Sequence, residues 1–186
     1  MDGAMGTMIQ QENLDEDDFR GFGEKNDCLI NNNQKDIIQK AVDGGIDVKG
    51  NNELLSLTHP SLIRYIHEQY LKVGADIIET NTFGATTIAQ SDYKLQELAY
   101  DMNLHSAKLA KEACEKFSTA GKKFVAGAIG PTPKTASISP DVNDPGARNI
   151  TFDELVISYK SQAHALMKGG VDLFLIETIF DTLNAK

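Results

Sequence analysis

The sequence predicts an α/β fold in which helices cover a parallel sheet. Three observations carry that prediction. Short runs rich in Ile, Val, Phe or Leu lie at Asp76 to Thr82, Lys123 to Gly127 and Asp172 to Thr178. Each is opened by glycine with Asp or Lys, and helix-length patterns separate them. Continuous apolar runs mark strands buried on both faces, and two parallel strands need a crossover long enough for a helix.

Taken in order, the elements agree with that class. The Gly-rich opening "MDGAMGT" reads as the end of a first strand. From Glu24 to Asp47 the chain is polar, acidic and Asn-rich ("NDCLINNNQKD"), with a weak helical pattern at Asp36 to Val42; residues 24–47 are expected to form a surface excursion or a poorly ordered insertion. Helical patterns follow at Pro60 to Val73, roughly Ile88 to Phe117, and Phe152 to Lys168. Pro60 suits a first turn, where its missing N–H costs nothing. Thr151 to Glu154 is a capping box, and Gly74, Gly121 and Gly169 stand where helices should stop. The count is four β/α units, the last reaching Asn184-Ala185-Lys186 as its helix begins, so the chain is expected to be cut at both ends.

Composition narrows function. With 186 residues, 41% hydrophobic and 24% charged, the chain can build one cored domain. Its net charge of -9 argues against a nucleic acid or an anionic membrane as partner, because both call for clustered Lys and Arg. Cys28 and Cys114 lack close spacing and read as reduced thiols, Cys114 as a packing residue and Cys28 as an exposed one. No basic-then-apolar leader opens the chain and no run approaches the roughly 18 apolar residues of a membrane span, so the expected location is cytoplasmic.

The polar residues at strand ends carry the chemistry. "LIETIFDT" at 175–182 keeps Glu177 inside an apolar run, and "IIETNTF" at 77–83 does the same with Glu79. By alternation Leu173, Leu175 and Glu177 share one face, and Ile77, Glu79 and Asn81 another; periodicity alone does not say whether that face is inner or outer. Ligands of parallel α/β folds bind beyond the C-terminal strand ends. Each glutamate has an ordinary structural role open to it, as a helix cap or a partner of a buried base. Two acids joined by Asp2 point instead to a shared cationic guest, for which an ammonium with three donors is suited. "DGAMGT" lacks the features of a phosphate or dinucleotide loop. Its glycines allow either a plain turn or close approach of backbone N–H groups to a ligand carboxylate. The long loop "GAIGPTPKTASISPDVNDPGARNITF" is expected to be functional or disordered. His59, His67, His105, His164 and the two cysteines offer no zinc spacing, and no nucleophile signature is present.

Five stretches together resemble one family: "MDGAMGTMIQ", "DVKGNNELLSLTHP", "GADIIETNTFGATTIAQSDY", "FVAGAIGPTPKTASISPDVNDPGARNITFDEL" and "GGVDLFLIETIFDTLNAK". They are similar to the N-terminal homocysteine-binding module of cobalamin-dependent methionine synthase, over nearly the whole chain apart from 24–47. "SISPDVNDP" and "RNITFDEL" favour that enzyme over relatives taking methyl from betaine or S-methylmethionine. The resemblance implies the first four β/α units of a (β/α)8 TIM barrel, with residues 1–186 as one partial barrel domain. It also implies methyl transfer from methylcobalamin, recharged by 5-methyltetrahydrofolate, to homocysteine, giving methionine and cob(I)alamin.

Carried over residue by residue, the family's grip on homocysteine falls on Asp2 and Glu177, with Gly3, Thr82 and Phe83 lining the pocket. Glu79 has no assigned role. The resemblance implies zinc held by three cysteines beyond Lys186, so neither zinc nor cobalamin is expected on this chain, which alone should be inactive. Its expected partners are homocysteine, the remaining half-barrel, the folate and cobalamin modules, and further copies of itself through open sheet edges. Two other readings stay open: a thiol methyltransferase with another donor, and a non-catalytic amino-acid-binding half-barrel.

Overall fold

A computed structural model describes residues 1–23 and 27–186. Local signals account for most helix boundaries. After α1 (Met5–Gln11), Asp15 and Asp18 form a reciprocal capping box that opens α2 (Glu16–Arg20), and Gly21 closes it in the left-handed conformation. Asn31 and Gln34 make a second box at α3 (Asn32–Asp43). A short α4 (Leu55–Thr58) leads into α5 (Pro60–Lys72), whose first residue is the expected proline. Then come β1 (Ile77–Glu79), α6 (Thr87–Gln90), α7 (Ala99–Lys116), β2 (Phe124–Ile129), α8 (Phe152–Gly169), β3 (Leu173–Ile176) and α9 (Thr182–Ala185). Thr151 and Glu154 form the predicted box at α8, and Gly170, not Gly169, supplies its left-handed cap.

The three strands form a parallel sheet in the order β1-β2-β3, with Glu79 beside Ala126 and Ala126 beside Leu173. The α/β class is therefore correct, and parallel strands joined through helices are what a partial TIM-barrel-like domain shows. A fourth strand at the opening is not formed among the described residues. The Asp2 N–H, donating to the Ile77 carbonyl at 2.9 Å, and the Asp2 carboxylate, accepting from the Glu79 N–H, lay the chain along β1 without a strand ladder. The Ile88 to Phe117 pattern is likewise not one helix. After α6 the backbone makes 3-10 turns at Ser91–Tyr93 and Gln96–Leu98, with Lys94 left-handed between them at φ 56°.

Of the 24–47 segment, residues 24–26 lie outside the described residues. Its weak pattern sits within the longer α3, which buries Ile38 and Ala41 and ties Gln34 to Asp101 by a 2.6 Å bond. Cys28 departs from the exposed position expected of it: half-buried, its thiol donates to the carbonyls of Gly21 and Thr58.

Packing settles which face is which. Ile78 and Val125 join Leu71, Ala110, Ala113 and Cys114 in one cluster, and Ile129 joins Ala107 and Leu166 in another, so that face meets the helices. Ile77, Glu79, Ala126, Ala128, Leu173 and Leu175 consequently share the opposite, inner face. The long loop after β2 is held in place by Asp181, which accepts from Ser137 N–H and hydroxyl, and by Asn184, which bonds Thr132, Lys134 and Ala136.

Candidate functional site

Asp2 is placed by main-chain bonds. Its own N–H donates to Ile77, and its Oδ2 accepts from the Glu79 N–H at 2.9 Å. Its Oδ1 is buried with no hydrogen-bond partner among the described residues. Glu79 ends β1 on the inner face. Glu177 follows β3, its N–H donating to the Ile129 carbonyl at 3.1 Å, and Thr178 at φ 57° then turns the chain out of the strand. A cavity of about 420 Å³ opens between these ends, lined by Gly3 to Gly6, Glu79 to Phe83, and Glu177. Gly3, Thr82, Phe83 and Glu177 thus meet in one recess, with Asp2 joined to Gly3.

The recess penalises negative charge. Burial raises the Glu79 carboxyl to about 7, with Asp2 and Glu177 adding to the effect. Burial also raises Asp2 to about 6, against the pull of the Glu79 N–H, and Glu177 pushes it further up. Glu177 is raised by burial. The Tyr70 hydroxyl is raised by burial and by Asp2, and its ring lies 3.3 Å from where a Gly3 side chain would begin. Three acids that resist ionising together in a recess form an environment that a cation relieves.

The loop after β1 is held by buried polar groups. Thr82 Oγ1 donates to Ala128 O, and Thr80 Oγ1 accepts from Ala128 N–H, which leaves Thr80 as donor in the 2.6 Å bond between the two hydroxyls. Thr82, fully buried, therefore shapes the pocket through its backbone and not by offering its hydroxyl. Gln162 donates to Thr82 O, Asn103 to Ala85 O, and Glu53 accepts from Gly84 N–H at 2.8 Å. Asn51 and Gln90 exchange bonds beneath, and Gln90 also reaches Gly84 O. Phe83 is 41% exposed at the mouth, and its carbonyl would sit 2.5 Å from a Cβ at Gly130, which only glycine permits. No periodicity distinguishes Glu53, Asn51, Gln90 or Gln162 as supports: Asn51 and Glu53 lie ahead of α4, Gln90 ends α6 and Gln162 sits on α8, so no single element marks them.

The thiols and the other described groups do not fit a zinc site. The Cys28 thiol donates to the carbonyls of Gly21 and Thr58, and burial raises Cys114 to about 11, which opposes the thiolate that zinc requires. Among the described residues no cluster of three or more His, Cys, Asp or Glu is arranged to hold a metal, and no helix is long and apolar enough to cross a membrane.

The family model for homocysteine S-methyltransferase matches residues 1–186. The metallated form of the homocysteine methyltransferase MmuM from Escherichia coli superposes with a TM-score of 0.65 at 21% identity, over 99% of this chain and 55% of that one. Its oxidized form gives 0.64 at 20%, over 98% and 53%. These structures share the fold, and this chain spans about half of their length.

Proposed function

The chain belongs to the homocysteine S-methyltransferase family, and on that premise we propose that it is the homocysteine-gripping part of a cobalamin-dependent methionine synthase. The carrying observation is Asp2, whose buried Oδ1 has no hydrogen-bond partner among the described residues and whose neighbours Glu79 and Glu177 share the same recess. In this reading Asp2 and Glu177 hold the substrate ammonium by charge-assisted hydrogen bonds. The Gly3 to Gly6 turn, where α1 begins without a side-chain cap, supplies backbone N–H groups for the substrate carboxylate. Phe83 at the mouth excludes water from the aliphatic part.

Positioning is the contribution assigned to this half: two fixed carboxylates orient the amino acid so that its sulfur points away from them, toward the methyl donor. Sulfur activation and the methyl donor belong to the remainder of the longer enzyme. The choice of cobalamin rests on the sequence resemblance at "SISPDVNDP" and "RNITFDEL".

Calorimetric titration with homocysteine tests the reading. Replacing Glu177→Gln is expected to weaken binding by about tenfold, the lower end of what a hydrogen bond to a charged group contributes. Equal affinity for both chains would return Glu177 to a structural role.

A further inference from the structure

We propose that Glu79 is a third ammonium-binding carboxylate and that the pocket gives up a proton from it when the amino acid enters. The inference rests on the homocysteine reading and goes beyond it, because the family resemblance puts the grip on Asp2 and Glu177 and leaves Glu79 without a role. Three independent features support it. Glu79 lines the same 420 Å³ cavity as Glu177. The strand register places its side chain on the inner face, in the row of Ala126 and Leu173. Its own N–H holds Asp2 Oδ2, so the two carboxylates are fixed as neighbours while Asp2 Oδ1 stays buried with no hydrogen-bond partner among the described residues.

The charged groups that reach Glu79 are few. Asp2 and Glu177 raise its affinity for a proton and the amino terminus lowers it. Tyr70 from α5 stands beside Asp2. The strand next to it, β2, carries no titratable side chain along Phe124–Ile129. Without a cation the recess reduces its charge by keeping Glu79 protonated for much of the time near neutral pH. An ammonium reverses that preference, since an opposite charge within a few ångströms favours the ionised acid. The proton leaves Glu79 for the buffer, and the carboxylate takes an N–H of the ligand. Binding should therefore tighten as pH rises through the range where Glu79 titrates in the empty pocket.

Titration calorimetry of homocysteine in metal-free buffers of differing ionisation heat, near pH 6.5, counts the proton. There the substrate thiol stays protonated and contributes nothing. The unaltered chain is expected to release roughly one proton. Glu79→Gln should lose at least half of that release and about tenfold in affinity. A homocysteine analogue lacking the amine, 4-mercaptobutanoate, should bind both chains equally. Homocysteine bound with no proton release by the unaltered chain overturns the proposal without any variant, as does undiminished release or affinity in a folded Glu79→Gln. Equal weakening of the deaminated analogue also overturns it, placing Glu79 elsewhere on the ligand. In each of those cases homocysteine still binds and the underlying reading survives; no binding to the unaltered chain removes both.

Discussion

His67 shows how far burial alone can set a residue's chemistry. It is fully buried on α5, both ring nitrogens lack hydrogen-bond partners among the described residues, and burial lowers its pKa from 6.5 to about 4. The unfolded chain takes up a proton as pH falls through 6.5, whereas the folded chain waits until about 4. Stability therefore falls with pH across that window and levels off beneath it. The gap of 6.5 − 4 = 2.5 pH units, at about 1.36 kcal/mol each, is on the order of 3 kcal/mol. Asp2 and Glu79 have the opposite sign. Their folded values are raised, so the stability they add is full below about 4 and disappears as pH rises toward 6 and 7. Both are partly solvated, so water screens their effect more than it does that of His67. Replacing His67→Leu is expected to remove the histidine's share of the acid loss between pH 6.5 and 4, leaving the opposing slope of the carboxylates. Urea midpoints measured across that range check this, and superimposable profiles for the two chains would refute it.

At the scale of elements, close backbone approach matters more than helix propensity. Gly169 ends α8 against α7, and a Cβ there would lie 2.4 Å from the Ala107 Cβ and 2.9 Å from the Leu104 carbonyl, neither of which can rotate aside. Gly169→Ala should therefore separate the two helices and cost about 1–3 kcal/mol, as overpacking does, seen as a lower unfolding midpoint with an unchanged urea slope. The sequence marked Gly169 as a helix stop, yet its main task is contact, because close approach between distant segments leaves no local pattern. The same holds for the loop anchored by Asp181. Burial raises this carboxyl, but bonds from Ser137, Asn184 and Leu183 outweigh that and bring it down to about 2. No local pattern marks Asp181, whose partner Ser137 is 44 residues away. Glu177 stood out for the converse reason: an acid interrupting an apolar strand end is conspicuous without any knowledge of the fold, whereas Asp2 was read at the end of a first strand that is not formed among the described residues. The first strand and the unbroken Ile88 to Phe117 helix were misread because glycine richness and apolar spacing do not register a missing ladder or a left-handed Lys94.

For the whole molecule, the parallel sheet demands cover on both faces, and its third strand has little. On the helix side of β3, Phe174 is 39% and Ile176 62% exposed, with Phe180 at 69% just beyond. Ile176 lines an apolar groove of about 420 Å³ formed with Val156, Tyr159, Ile179 and Leu183 from α8, the β3 loop and α9. The outer edge of β3 also presents backbone groups that pair with no other strand among the described residues. A surface combining an open strand edge with contiguous apolar side chains favours association. The net charge of -9 opposes it only over distances that salt screens. The 186-residue chain is therefore expected to self-associate in solution, more strongly at high ionic strength, with a mass in sedimentation that rises with concentration. Ile176→Lys should shift that distribution toward the monomer with little effect on folding, since the side chain is already largely in water. A concentration-independent monomer with a sharp, reversible unfolding transition would show instead that α8, α9 and the β3 edge protect the sheet without a partner.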